Sequence, residues 1–139
     1  MVVLDCSAVI PMVLGNEVGR ALRGLMLKGE KVVSSSLLYP EACSAMWKYV
    51  RAGLMTPDDA KRRVGSAIAL VDEFHGFERY ATEVFGEACR LGHSVYDVFY
   101  FVLARRLGAT LFTEDRRLIE LCEQNGVDCV HIADLVKES

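Results

Sequence analysis

No stretch of this chain approaches the ~18 consecutive apolar residues of a membrane-spanning helix. The first residues run straight into Val2-Val3-Leu4 with no basic segment, so a cytoplasmic protein without a secretory leader or membrane partner is expected. The five cysteines (Cys6, Cys43, Cys89, Cys122, Cys129) are odd in number and form no C-x-x-C pair. That argues against a disulfide framework and a zinc site, and for reduced, mostly buried thiols. His75, His93 and His131 are isolated and lack metal-ligand spacing, so hydrolysis by Ser/His/Asp or Cys/His groups has no base in view. G-x-G-x-x-G and G-x-x-x-x-G-K-[ST] are both missing, which removes the dinucleotide and P-loop readings. Strong basicity is missing too: the net charge is -3, so any hold on phosphate must come from local patches or from a metal.

What is present is a globular composition, 52% hydrophobic and 25% charged over 139 residues. A chain of that size buries roughly 68% of its unfolded surface in one core. Repeats, linkers and low-complexity segments are not seen, and one domain over residues 1–139 is expected.

The most informative stretch begins at Ser94. Ser94 as N-cap with Asp97 three residues later has the form of a capping box. From Val95 to Leu107 the pattern is apolar almost all round, which predicts a buried helix stopped by Gly108. Ala109 to Thr113 then predicts a strand buried on both faces, with Asp115 just beyond it.

Taken in order, Val2-Val3-Leu4 predicts a first strand, with Asp5-Cys6-Ser7 at its C-terminal end. Ala8 to Leu14 reads as one or two helical turns, and Asn16 caps a helix ended by Gly29. Lys31 to Ser34 is a strand, after which Ser34 to Ser36 are expected to cap a helix reaching Ala52. Thr56-Pro57-Asp58-Asp59 starts a helix running to about Phe74, Phe77 to Tyr80 reads as a short strand, and Thr82 caps a helix ending at Gly92. Arg116 to Asn125 is helical, Val127 to Ile132 a last strand, and a terminal helix follows from Ala133. Strands alternating with helices predict an α/β fold, a central mostly parallel sheet flanked by helices. In such sheets function gathers beyond the strands' C-terminal ends, near a switch in strand order.

Asp5 and Asp115 fall there, as does the head of the helix carrying Asp97, and Glu41 lies in the apolar face of another helix. Each acid alone has a structural reading. Asp5 and Asp115 would cap the helices that follow them, Asp97 would complete the capping box, and Glu41 would pair with Lys48 or face water. All four together are expected to converge on one sheet edge. Two carboxylates ~5 Å apart at an effective dielectric of ~20 repel by about 3 kcal/mol, and a divalent cation removes that penalty. Carboxylate oxygens favour the hard ions Mg²⁺ or Mn²⁺ over zinc. Such a site polarises a phosphoryl oxygen and acidifies a bound water, the chemistry of phosphodiester hydrolysis. Ser7 offers a hydroxyl nearby.

These segments together resemble a PIN domain: Val3-Leu4-Asp5-Cys6-Ser7-Ala8-Val9-Ile10, Ser36-Leu37-Leu38-Tyr39-Pro40-Glu41-Ala42, Ser94-Val95-Tyr96-Asp97-Val98-Phe99-Tyr100-Phe101, and Leu111-Phe112-Thr113-Glu114-Asp115-Arg116-Arg117-Leu118. They are most similar to the VapC-type ribonuclease toxins of toxin–antitoxin pairs, in the right order over nearly the whole chain. The resemblance implies a small Rossmann-like parallel sheet and a Mg²⁺- or Mn²⁺-dependent endoribonuclease. By position it implies an acidic quartet of Asp5, Glu41, Asp97 and Asp115, supported by Ser7 and Thr113. A homodimer and a cognate antitoxin covering the active site are also implied.

Two other readings compete. A haloacid-dehalogenase-like phosphatase needs a second aspartate two residues after Asp5, where this chain has Ser7. A catalytically silent PIN-like module that binds RNA or a protein partner is the serious rival, because acids persist for other reasons. For RNA, Arg116 and Arg117 are the candidate phosphate contacts, lying next to Asp115. For a dimer or antitoxin interface, Tyr39, Met46, Trp47 and Tyr49 with Ala67, Leu70 and Phe74 offer more apolar positions than one face buries, core packing being the alternative.

Overall fold

The structure, a computed structural model, describes residues 1–26 and 28–132. Five short strands form one sheet: β1 (Val2–Leu4), β2 (Val32–Ser35), β3 (Glu73–His75), β4 (Thr110–Phe112) and β5 (Cys129–Val130). The helices among the described residues are α1 (Cys6–Leu14), α2 (Glu17–Leu25), α3 (Leu38–Arg51), α4 (Pro57–Ala69), α5 (Ala81–Leu91), α6 (Val95–Leu107) and α7 (Arg116–Asn125), with a 3₁₀ turn at Phe77–Tyr80. Every strand pair is parallel, in the order β3-β2-β1-β4-β5. The chain builds outward from β1 through β2 and β3, then returns to the other side of β1 for β4 and β5. The strand order therefore reverses between β1 and β4.

Because side chains alternate along a strand, the sheet buries two different sets of residues. Val3, Val33 and Leu111 face the core built with α5, α6 and α7. Val2, Leu4, Val32 and Phe112 face the core built with α1 to α4. The α6 helix is the hub of the first core, as its sequence requires. Its Val98, Tyr100, Phe101, Val102, Leu103 and Ala104 are all buried, and Phe101 alone contributes ~1.5–3 kcal/mol by leaving water. Gly108 ends α6 at φ 60°, a left-handed turn that glycine adopts without a Cβ penalty.

Several local expectations are corrected. The serines do not cap α3: Ser34 is buried and donates to the Leu4 carbonyl (2.6 Å), and Ser35 accepts from the Leu37 backbone N–H (3.2 Å). Leu37 occupies the cap with no side-chain bond, so these serines tie β2 to β1 and shape the turn instead. The fourth helix stops at Ala69 rather than Phe74, because Phe74 belongs to β3, paired with Ser34 of β2. Phe77–Tyr80 is a 3₁₀ turn, not a strand, and Tyr80 rather than Thr82 precedes α5. Ser94 starts α6 without a side-chain cap bond. The last strand shrinks to two residues. The terminal helix expected from Ala133 lies outside the described residues. No helix of the described residues is long and apolar enough to cross a membrane.

Candidate active site

Asp5 is the first residue past β1 and the N-cap of α1. Backbone geometry alone fixes its place, since Leu4 pairs with Phe112 of β4 and Thr113 follows as the next residue on that neighbour. The carboxylate is 5% exposed and fully engaged. Its Oδ1 accepts from the Ala8 backbone N–H (3.0 Å) and the Ser7 hydroxyl (2.8 Å), and its Oδ2 accepts from the Thr113 hydroxyl (2.5 Å). Both hydroxyl protons are thereby committed. The Ser7 and Thr113 oxygens in turn accept from the backbone N–H groups of Glu114 (2.8 Å) and Asp115 (3.1 Å). The two side chains thus lock the turn after β4 onto the end of β1, across the point where strand order reverses. Burial lifts the Asp5 carboxyl to about 7; the bonds from Thr113, Ser7 and Ala8 oppose the rise, and the charge of Asp115 adds to it.

Asp115 caps α7, its Oδ1 accepting from the Arg117 (2.9 Å) and Leu118 (3.2 Å) backbone N–H groups. Both acids expected at the strand ends therefore do act as helix caps, and this does not exclude them from a site. A cap bond occupies the inner oxygen and fixes the direction of the outer one.

Asp97 stands in the first turn of α6, half-buried. Burial raises its carboxyl above the usual range and Asp115 adds to the rise, whereas His93 and Arg117 pull it back down. Glu41, in the first turn of α3, is raised by burial and by Asp97, against a hydrogen bond from the Tyr100 hydroxyl. The mutual influence runs Asp5–Asp115–Asp97–Glu41, so the four carboxylates share one electrostatic neighbourhood at the C-terminal edge of the sheet. As the side chains stand, no three His, Cys, Asp or Glu groups among the described residues are gathered tightly enough to ligate one ion. The donor set itself is all oxygen, with three carboxyls held above their usual range, and this fits a hard divalent cation.

Two side chains at this edge were not singled out by sequence reasoning. Tyr100 lies one helical turn after Asp97 and carries the hydroxyl that meets Glu41; a phenol amid the apolar run that follows Asp97, at that spacing, is the signal the sequence offers. His93 precedes Asp97 by one turn, with its Nδ1 4.0 Å from the Asp97 carboxylate. That nitrogen is buried and makes no hydrogen bond. Cys6 opens α1 beside Glu41 and Asp5, and burial with those two charges pushes its thiol up to about 12, so it stays protonated at neutral pH.

Arg116 and Arg117 are both exposed at the start of α7. Arg105 and Arg106 are committed elsewhere, paired with Glu83 and Glu87 of α5. Of the residues expected at an interface, Met46 and Ala67 are core, whereas Trp47 is 55% and Tyr39 46% exposed. Tyr39 packs on Phe74 at 4.7 Å between ring centroids. Trp47 edges an open apolar groove of about 370 Å³ between α3 and α4, lined also by Met46, Val50, Ala60 and Val64.

The chain with this parallel sheet and these carboxylates at its switch point belongs to the PIN domain family, whose model matches residues 2–124. Among its relatives, Ribonuclease VapC3 of Pyrobaculum aerophilum is 26% identical over 120 residues, which span 85% of this chain and 92% of that protein. The structure of VapBC2 from Rickettsia felis, bound to a DNA fragment from its promoter, superposes with a TM-score of 0.66 at 16% identity, covering 94% of this chain and 98% of that one. VapC20 of Mycobacterium tuberculosis, a sarcin-ricin loop cleaving toxin, gives a TM-score of 0.60 at 16% identity over 87% and 95% of the two chains. At such identities the likeness to the solved structures is one of fold.

Proposed function

We propose that this protein is a divalent-metal-dependent endoribonuclease, the toxin of a type II toxin–antitoxin pair. The observation that carries the reading is the buried Asp5 at the strand-order switch, held by Ser7 and Thr113 and electrostatically coupled to the other carboxylates. Family membership and the ribonuclease relative support it.

Asp5, Glu41, Asp97 and Asp115 would hold the cation, Mg²⁺ or Mn²⁺. When bound, such an ion supplies a Lewis acid for the phosphoryl group and acidifies a water. The chain's own contribution is placement. Ser7 and Thr113 keep both Asp5 oxygens fixed, the α7 cap fixes Asp115, and Arg116 and Arg117 border the acids where an RNA backbone would pass. The arrangement suits hydrolysis of a phosphodiester bond by in-line displacement at phosphorus.

An antitoxin that covers this edge and a homodimer are the proposed partners. Support comes from the VapBC pairing of the solved relatives and from the exposed Trp47 beside its apolar groove. A light-scattering mass equal to one chain would overturn the dimer.

The rival reading is a silent module that binds RNA or protein without cutting, in which the acids serve the fold, as Asp5 and Asp115 do in capping α1 and α7. Cleavage of RNA by purified protein with Mg²⁺ or Mn²⁺, beside EDTA and Asp97→Asn controls, separates the two. Activity lost in both controls establishes the nuclease. Metal binding without cleavage on varied RNAs favours the silent module.

A further inference from the structure

Glu41 and Tyr100 come from different helices and opposite cores. Glu41 belongs to the first turn of α3, on the face built with α1 to α4, and Tyr100 to α6 on the other face. They meet above the sheet edge, where the Tyr100 hydroxyl donates to Oε1 of Glu41 at 2.5 Å. The tyrosine is 2% exposed, packed in the core around Phe101 and Val33, so its ring has one position. Glu41 has no such constraint of its own. It is only half-buried, and its chain of three rotatable bonds reaches from an α3 surface that also carries exposed residues.

We infer that Tyr100 is a positioning residue for Glu41: its buried hydroxyl takes one oxygen of the carboxylate and so aims the other toward the acidic edge shared with Asp97 and Asp5. This rests on the proposed metal-dependent site and deepens it, since a carboxylate that swings freely binds a cation poorly whatever its charge. Outer hydrogen bonds of this kind commonly set the orientation of metal-binding side chains, and their removal typically costs ~10–100-fold in affinity or activity. The geometry also explains why an apolar helix carries a phenol at a buried position. A buried hydroxyl without a partner would cost stability, and Glu41 is its partner.

The test uses the full chain and Mn²⁺ as the probe, with affinity read by electron paramagnetic resonance and folding by thermal melts. Tyr100→Phe deletes one oxygen and keeps the ring, so no cavity forms. The expected result is Mn²⁺ binding weakened about tenfold. Paired with Glu41→Gln, the second change should cost nothing further, because the residue through which it acts is already neutralised. Wild-type affinity in Tyr100→Phe, losses that simply add in the double variant, or no Mn²⁺ binding by the wild type would each overturn the inference. RNA cleavage by the wild type is scored separately. Coupled binding without cleavage leaves the positioning role standing and removes the nuclease; cleavage with uncoupled binding does the reverse.

Discussion

The Thr113 hydroxyl of the β4 end donates to Oδ2 of Asp5 at the β1 end, joining two strands that lie 108 residues apart in sequence. Thr113 is fully buried and Asp5 nearly so, and each has further partners: Asp5 accepts from Ser7 and Ala8, and the Thr113 oxygen accepts from the Asp115 backbone N–H. The Thr113 hydroxyl thus links the sheet's central register to the carboxylate at its switch point, with Ser7 beside it.

Thr113→Val tests that link. Valine keeps the branched shape and removes the donor to Asp5 together with the acceptor for the Asp115 backbone N–H. The buried Asp5 Oδ2 and the part-buried Asp115 N–H each lose a partner, and a destabilisation of ~1–3 kcal/mol is expected in urea melts. Thr113→Ser, which keeps the hydroxyl, should recover most of it. Equal stability of the valine variant and wild type would show that the bond contributes nothing.

Two glycines of α2 make a sharper contrast. A Cβ at Gly19 would lie 1.9 Å from the Pro11 carbonyl oxygen, because α1 and α2 are in backbone contact there. A Cβ at the exposed Gly24 would meet no atom within 4 Å. Gly19→Ala should therefore force the helices apart and cost more than ~2 kcal/mol. Gly24→Ala should stabilise by ~0.5–1 kcal/mol, since it only restricts the unfolded chain and raises helix propensity. Chemical melts that move both variants the same way would refute the packing account.

What the sequence reveals of this fold is what is written locally. The bounds of α6 and α7 are readable because apolar periodicity, Asp115 and the left-handed glycines at 108 and 126 sit within a few residues of each other. The end positions of Asp5 and Asp115 follow from the strands before them. β3 is not readable: Glu73–His75 is a three-residue edge strand whose identity comes from pairing with β2, about 40 residues away. The serines at 34–36 mislead for a related reason, as the Leu4 carbonyl that Ser34 serves is reachable only once β1 and β2 are paired. At the site, the four acids stand out by residue type and position. The Tyr100–Glu41 bond does not, because it joins helices from the two faces of the sheet.

Acid should reveal the α5–α6 clamp. Glu87 accepts from Arg90 and Arg105, and these bonds, Arg90 first, hold its carboxyl down from 4.5 to about 2. A depressed folded value means that the folded state binds fewer protons than the unfolded one between those limits. The stabilisation is therefore present above about 4.5 and lost as pH falls through about 2. The melting-temperature gap between wild type and Glu87→Gln is expected to be small, ~3 °C or less, because the pairs are exposed. It should close with falling pH and with added salt. A gap that widens in acid would contradict the assignment.

Asp97 provides the last prediction, in which stability and activity oppose one another. Its carboxyl is raised by burial and by Asp115, and its charge in turn raises Glu41. In its charged form and without a cation, this carboxylate works against the fold. Asp97→Asn keeps the shape and removes the charge, so the metal-free variant should melt ~2–5 °C above the metal-free wild type. Cleavage of RNA should fall by at least ~100-fold, since a neutral amide no longer helps to hold the ion. Adding Mn²⁺ then reverses the order of stability. At 100 times its dissociation constant the ion stabilises wild type by about 2.7 kcal/mol, and the variant, binding it poorly, gains much less. Melting both proteins with and without Mn²⁺ checks this. A variant that is less stable than wild type without metal would mean that Asp97 is there for the fold, and its charge would then have to be satisfied by His93 and Arg117 alone.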